Sequence, residues 1–311
     1  MSELHRAVNE YLALRRAMGF KLDYAYTALP QFIDFLERQG MTFITTALAL
    51  EWATQPTGVQ PAHWSRRLSL VRHFARHRST SDPRTEIPPV QLLPYQYTRK
   101  SPYLYSDTEV EKLLEAASQV ASPSGLRART LTTLFGLLAA TGLRISEALN
   151  LDRQDVDLDQ ATLTIRQTKC RKSRWLPLHA TTQHALQRYA AFRDQRYPQP
   201  TTPSFFLSEQ GTRVTKWMMQ WHFVRLSRQI GLRGPGDSHG PRIHDMRHRF
   251  AIQTLLRWYR EDIDVEHHLP ELSTYLGHAR VSDTFWYLSA TPELLSLAAQ
   301  RLEAHSQRPL S

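Results

Sequence analysis

Residues 79 to 102, STSDPRTEIPPVQLLPYQYTRKSP, contain five prolines and no helical or alternating periodicity, and they separate two strongly periodic stretches of a 311-residue chain. Proline fixes φ and donates no backbone hydrogen bond, so neither a helix nor a central strand runs through such a segment. The chain is therefore expected to fold as two units, and its length suffices for two separate cores. The pattern places a helical domain at 1–80, a basic proline-rich linker at 81–103 and a second domain at 104–311.

The first unit reads as four helices, with apolar residues at helical spacing in VNEYLALRRAMGF, YTALPQFIDFLERQG, TTALALEWATQ and PAHWSRRLSLVRHFARH. Gly19, Gly40 and the stretch from Gln55 to Gln60 punctuate them. On the last of these helices Trp64, Leu68, Val71 and Ala75 share one face, while Arg66, His73, Arg76 and His77 lie opposite. Thirty-nine Lys plus Arg against 29 Asp plus Glu give a net charge of +10, which calls for a polyanionic partner. That excess is divided evenly between residues 1–100 and 101–311, as a clamp around DNA needs. Arg66, His73 and Arg76 are candidate phosphate contacts, as are Arg99 and Lys100 in the linker, with a solvated polar face as the alternative.

The second unit opens with Ser106 and Glu109, a capping box ahead of Val110, Leu113 and Leu114. A helix from about Arg127 to Ala140 is ended by Thr141 and Gly142. ATLTIRQ (161–167) and SRWLPL (173–178) alternate as strands, which leaves TKCRK at the tip of a β-hairpin. PRIHDMRHRFAIQTLLRWY begins a helix after a proline, and LSATPELLSLAAQRLEAHS forms an amphipathic end with Leu294, Leu295, Leu297 and Ala298. The expected class is mainly α with a small β-hairpin or sheet, an α+β second domain behind an all-helical first one. The longest apolar run, LFGLLAATGL, is too short to cross a bilayer, the N-terminus lacks a signal-type apolar core, and the single cysteine, Cys170, excludes an intramolecular disulfide. A cytoplasmic protein without a membrane partner is expected.

Three segments carry the chemistry: ATGLRISEALNL at 140–151, HDMRHRFA at 244–251 and LGHARVSDTFWYL at 276–288. They supply Arg144, His244, Arg247, His278 and Tyr287. Two guanidiniums hold one phosphate through paired N–H forks, imidazoles move protons near neutral pH, and a tyrosine hydroxyl attacks phosphorus. The set describes phosphodiester transfer without a metal. Glu147, one turn beyond Arg144, is placed to orient its guanidinium. His244 and Arg247 share a helix face by their i, i+3 spacing; His248 shares it too and reads as a packing or hydrogen-bonding residue, and Arg242 and Arg249 as backbone contacts or solvated side chains. His222, His239, His267, His268 and His278 do not form a ligand pattern with carboxylates or with the lone cysteine, so neither metal nor cofactor is expected. Beside Tyr287, Phe285 and Trp286 read as core aromatics.

On these motifs the chain, from about Tyr103 to Leu302, resembles the tyrosine recombinase (phage integrase) family, in which an arginine follows a TGLR-type turn, H-x-x-R opens a later helix, and L-G-H precedes the nucleophilic tyrosine by nine residues. Thr284, three before Tyr287, matches as well. The resemblance implies attack by Tyr287 to give a 3′-phosphotyrosine, with Arg144 and Arg247 stabilising the phosphate, His244 accepting or polarising the tyrosine proton and His278 donating to a nonbridging oxygen. It further implies a hairpin lysine that protonates the leaving 5′ oxygen, Lys169 by spacing from LPL, with Lys172 as the competitor that also reaches phosphate. The implied partners are double-stranded DNA and further protomers, usually four around two sites with the C-terminal helix docking on a neighbour, together with accessory or sister recombinases. Neither ATP nor metal is implied. Integration or transposition of a mobile element is the leading reading; a type IB topoisomerase and a DNA-binding regulator that has lost cleavage are the alternatives.

Overall fold

The computed structural model describes residues 2–20, 22–94, 102–166, 173–199, 201–237 and 239–306, with side chains to 303. The chain divides into two compact units, residues 1–100 and 101–311.

In the first unit four helices enclose one apolar core: α1 (Glu3–Ala17), α2 (Asp23–Arg38), α3 (Thr46–Thr54) and α4 (Pro61–Arg78). Ser2 starts α1 by accepting from the His5 N–H, Thr45 starts α3 by accepting from the Leu48 N–H, and Pro61 occupies the first turn of α4, where no N–H is needed. Phe32, Ile33, Leu36, Trp52 and Phe74 are fully buried at the centre. On α4 the expected faces hold: Leu68, Val71 and Ala75 point inward while Arg66, His73, Arg76 and His77 are exposed. Arg67 is buried instead, its guanidinium stacked 3.6 Å from the Trp52 ring and donating to the Trp52 carbonyl at 2.8 Å. The proline-rich stretch as far as residue 94 lies on this unit. Arg72 donates to the carbonyls of Pro88 and Pro89, Ser65 to that of Leu93, and the Glu86 carboxylate accepts from the Thr46 N–H. Arg99 and Lys100 lie outside the described residues.

The second unit is built from α5 (Asp107–Ser118), α6 (Leu126–Thr141), α7 (Ile145–Leu149), β1 (Val156–Asp157), β2 (Thr162–Ile165), β3 (Arg174–Pro177), α8 (Ala180–Arg196), α9 (Lys216–Gln229), α10 (Asp245–Arg260), α11 (Val265–Leu276), α12 (Ser282–Phe285) with a 3-10 turn over Trp286–Ser289, and α13 (Pro292–Ser306). The class is the expected one, mainly helical with a small antiparallel sheet ordered β1-β2-β3. β2 and β3 pair Leu163 with Leu176 and Ile165 with Arg174, and the alternation sends Leu163, Ile165 and Leu176 into the core. The hairpin tip, with Lys169 and Lys172, lies outside the described residues. The expected capping box is formed: the Glu109 N–H donates to Ser106 Oγ, and the Ser106 N–H to the Glu109 carboxylate.

Helix α6 is the centre of the core, with Leu131, Leu134, Phe135 and Leu138 inaccessible. Its own N-terminus lacks a side-chain cap at Gly125. Glu209, distant in sequence, takes that role by accepting from Ser122 Oγ, Ser124 Oγ and the N–H groups of Ser124 and Arg127. Partial burial alone raises the Glu209 pKa, but these hydrogen bonds outweigh it and bring it down to about 2. A carboxylate whose folded pKa is depressed contributes stability above its unfolded pKa and loses it as pH falls towards the folded value. Glu209→Gln is therefore expected to cost about 1–3 kcal/mol at neutral pH, in the range of charged hydrogen bonds. In urea unfolding, the wild type's advantage should shrink as pH falls from about 4.5 towards 2; a gap independent of pH would show that the charge is not involved.

A second apolar cluster joins Ala251, Ile252 and Leu255 of α10 to Val265, Leu269, Leu272 and Leu276 of α11, and takes in Tyr287 and Leu294. Helix α13 thus packs on its own domain through Leu294, and Arg301 donates to the Ile263 carbonyl and to Asp262. Leu295 and Leu302 stay exposed on its outer side.

Candidate active site

Two helix ends set the position of the motif arginines. Helix α6 stops at Gly142, where φ is +62° and an added Cβ would come within 2.7 Å of the Phe250 ring, so glycine alone fits the turn. The chain then places Arg144 at the N-cap of α7. Helix α11 stops at Leu276 with Gly277 as its left-handed cap. The last carbonyls of both helices lack intrahelical partners and carry the negative end of the helix dipole, so they bind cations. Arg247 donates to the Gly142 carbonyl at 2.9 Å and to the Leu276 carbonyl at 2.7 Å. Arg144 donates to the carbonyls of Gly277, at 3.1 Å, and Leu276, at 3.4 Å. Residues more than a hundred positions apart thus share the Leu276 oxygen.

The carboxylate of Glu147 orients Arg144, as its spacing foretells, accepting from Nη1 at 2.8 Å and from the backbone N–H at 3.1 Å. It also binds Arg174, a residue that the strand-like SRWLPL pattern does not single out, at 2.9 and 3.2 Å. Burial raises the Glu147 pKa, but its bonds to Arg174 and Arg144 prevail and hold it below the usual glutamate range.

Arg247 is buried, and burial together with the nearby Arg144 cation lowers its pKa to about 10, which still leaves it charged at neutral pH. His244 sits at the N-cap of α10 and keeps part of its ring open to solvent. The protein around it, then Arg247, Arg144 and Arg242, push its pKa down to about 4 against the opposing pull of Asp245. Access to water tempers the size of that shift but not its sign, so His244 is neutral at pH 7.

The His278 backbone N–H donates to the Ser273 carbonyl, and its Nδ1 lies 2.7 Å from Thr284 Oγ1. Its ring stacks on Tyr287 with 6.1 Å between centroids. Tyr287 is 2% exposed, and its hydroxyl lies 3.1 Å from Nδ1 of His248, whose ring meets that of His244 edge-on at 4.8 Å. The five motif residues therefore form one connected cluster, with His248 inside it.

Two expectations change. Thr284 and Tyr287 are the buried pair of the 282–289 segment, whereas Phe285 is exposed and Trp286 half-buried, because the i, i+3 spacing turns the first two inward together. Arg249 is not a freely solvated side chain; it is bonded to Asp107 and to the Tyr105 carbonyl. His248 takes the hydrogen-bonding role among those expected, since its Nδ1 meets the tyrosine hydroxyl. Arg66 and His73 belong to the other unit, where they line a groove of about 520 Å³ on α4, and Arg76 is exposed on the same helix. Among the described residues the one histidine and carboxylate grouping tight enough to hold a metal is His5, Asp34 and Glu37, also in the first unit, with the imidazole nitrogens 3.1 and 3.2 Å from the two carboxylates.

Residues 104–293 match the profile of the phage integrase family. The putative integrase/recombinase y4rB of Sinorhizobium fredii is 50% identical over 307 residues, covering 97% of this chain and 98% of that protein. Tyrosine recombinase XerC of Herpetosiphon aurantiacus is 27% identical over 96% of this chain and 93% of its own length. The fold is shared with the Tn1549 transposon integrase in complex with transposon right-end DNA, with a TM-score of 0.66, 17% identity, and 96% of this chain and 98% of that one covered.

Proposed function

Because this chain belongs to the phage integrase family, we propose that it cuts and rejoins duplex DNA at specific sites through a 3′-phosphotyrosine on Tyr287, for the integration or transposition of a mobile element. It is a tyrosine recombinase, of the enzyme class that breaks and rejoins DNA strands. The observation that carries the phosphotyrosyl reading is the convergence of Arg144 and Arg247 on the α6 and α11 termini, beside a tyrosine ringed by His248 and His278.

The charge balance suits the reaction. Arg144 and Arg174 bind one carboxylate, Glu147, and Arg247 lies beside them on the Gly142 and Leu276 carbonyls, so the cluster keeps two positive charges in excess. A phosphodiester carries one negative charge and gains a second as the tyrosine oxygen adds, so the site favours the transition state over the ground state. In this reading Tyr287 Oη bonds to phosphorus and its proton passes to neutral His244. The P–O5′ bond breaks, and the leaving oxygen takes a proton from a hairpin lysine, Lys169 with Lys172 as the alternative. The Nδ1 of His278 is engaged by Thr284, so Nε2 is the nitrogen assigned to a nonbridging oxygen. Tyr287 is buried, so attack requires the 282–289 segment to turn the hydroxyl away from His248. The covalent bond conserves the diester energy, and a second 5′ hydroxyl reverses the step without ATP or metal.

Arg66, His73, Arg76, Arg99, Lys100 and Lys172 are assigned to the DNA backbone, and the outer face of α13, with Leu295 and Leu302, to a neighbouring protomer in a four-protomer synapse that admits sister recombinases. The substrate puts this chemistry at the bacterial nucleoid in the cytoplasm; no described helix is long and apolar enough to cross a membrane.

The test uses duplexes of candidate element ends, nicked beside the cleavage position so that the short fragment bearing the released 5′ hydroxyl escapes, without divalent metal. A denaturation-resistant adduct and strand exchange between two sites are expected. Relaxation without site pairing would make the protein a topoisomerase, and tight binding with no adduct a regulator.

A further inference from the structure

We propose that Arg174 is a positioning residue for strand cleavage: by sharing the buried carboxylate of Glu147 with Arg144, it leaves the three-residue group with one net positive charge for the scissile phosphate. The inference rests on the phosphotyrosyl reading above.

Glu147 is 7% exposed and Arg174 10% at the side chain, so their pair is held in a region of weak screening. Arg174 forms two bonds to the carboxylate, at Oε2 (2.9 Å) and Oε1 (3.2 Å), where the Arg144 side chain forms one. After burial, the bond and charge of Arg174 are the largest influences on the Glu147 pKa, ahead of those of Arg144. Arg174 is therefore the principal counter-ion, and Arg144 the secondary one. Without it Arg144 alone would face Glu147, their charges would cancel, and its guanidinium would be drawn fully onto the carboxylate.

The placement is built into the backbone. Arg174 begins β3 and pairs with Ile165 across the sheet. Its Nε donates to the Tyr275 carbonyl at 2.8 Å, and its guanidinium lies so close under Gly277 that an added Cβ there would meet Nη1 at 2.5 Å. One side chain thus ties the β-hairpin to Glu147 and to the helix end whose carbonyls hold Arg144 and Arg247.

A neutral substrate separates charge supply from mere folding. Replacing a nonbridging oxygen of the scissile phosphate by methyl gives an uncharged methylphosphonate, which has little need of an extra cation. In single-turnover adduct formation, Arg174→Gln is expected to lose about 10²–10³-fold on the phosphodiester but under about 3-fold on the methylphosphonate, the first figure being that of one oxyanion-stabilising group. Arg174→Lys, which restores a cation beside Glu147, should recover most of the phosphodiester rate, and DNA affinity should stay close to that of the wild type. Equal losses on both substrates, or none on the phosphodiester, would overturn the proposal. If Arg174→Gln does not fold, the same two-substrate comparison on Arg174→Lys decides, with a residual loss confined to the phosphodiester expected. A wild type that forms no adduct on either substrate would instead sink the phosphotyrosyl reading, and this inference with it.

Discussion

Tyr287→Phe is expected to bind DNA like the wild type and to form no covalent adduct. The ring is 2% exposed and is held by the stacked His278 ring and the Trp286 ring 5.1 Å away, contacts that phenylalanine keeps. The variant gives up the bond between the hydroxyl and His248, with a cost of about 1 kcal/mol, typical of one neutral hydrogen bond. Chemically the loss is far greater, because the oxygen that would bond to phosphorus is gone. Removing a nucleophile costs at least about 10⁴-fold in rate, while binding energy is retained. Nearby Tyr275 is no substitute: burial pushes its pKa up to about 12, and its ring stacks on Phe250 at 5.4 Å. The nicked duplex measures this directly, and an adduct of Tyr287→Phe that maps to another tyrosine would overturn the assignment.

Arg247→Lys should be the next most damaging change, although it nominally conserves charge. Arg247 spans the ends of α6 and α11 with separate nitrogens, to the Gly142 and Leu276 carbonyls. One ammonium does not reproduce that fork, so a buried carbonyl loses its partner and stability falls by about 1–3 kcal/mol. Cleavage is expected to fall about 10²–10³-fold, the loss seen when one stabilising donor is removed from a developing oxyanion. The pH profile distinguishes geometry from charge. Burial and Arg144 lower the Arg247 pKa only to about 10, well above neutral pH. A lysine starts nearly two units below arginine and is lowered by the same surroundings, so it loses its proton closer to neutrality. Activity of Arg247→Lys should therefore decline as pH rises between about 7 and 9, while that of the wild type does not; parallel profiles would exclude the charge argument.

The helices were legible because each is a local matter. Ser106 with Glu109 makes a cap within one turn, the three- and four-residue spacing of Leu68, Val71 and Ala75 marks a buried face, and alternation in TLTI and RWLP marks two strands. In the 282–289 segment three consecutive aromatics have no periodicity that says which one turns inward; packing against α10 and α11 selects Tyr287. Arg249 reads as an ordinary surface cation until the chain folds and brings Asp107 to it. Glu209 and Arg174 had no local signal at all, since their partners sit about 85 and 27 residues away, at Ser124 and Glu147.

By itself the sequence determined the helical class and the division at the proline-rich stretch, because spacing along one element dictates which side chains share a face, while Arg144, His244, Arg247, His278 and Tyr287 were singled out by the resemblance of their motifs to a known family. The tertiary structure alone decided that Leu276 and Gly142 offer their orphan carbonyls to Arg247, that Arg174 shares Glu147 with Arg144, and that the Tyr287 hydroxyl rests on His248. Those contacts depend on where helix ends meet in space. Local periodicity carries no information about that, and only the closing of the core sets it.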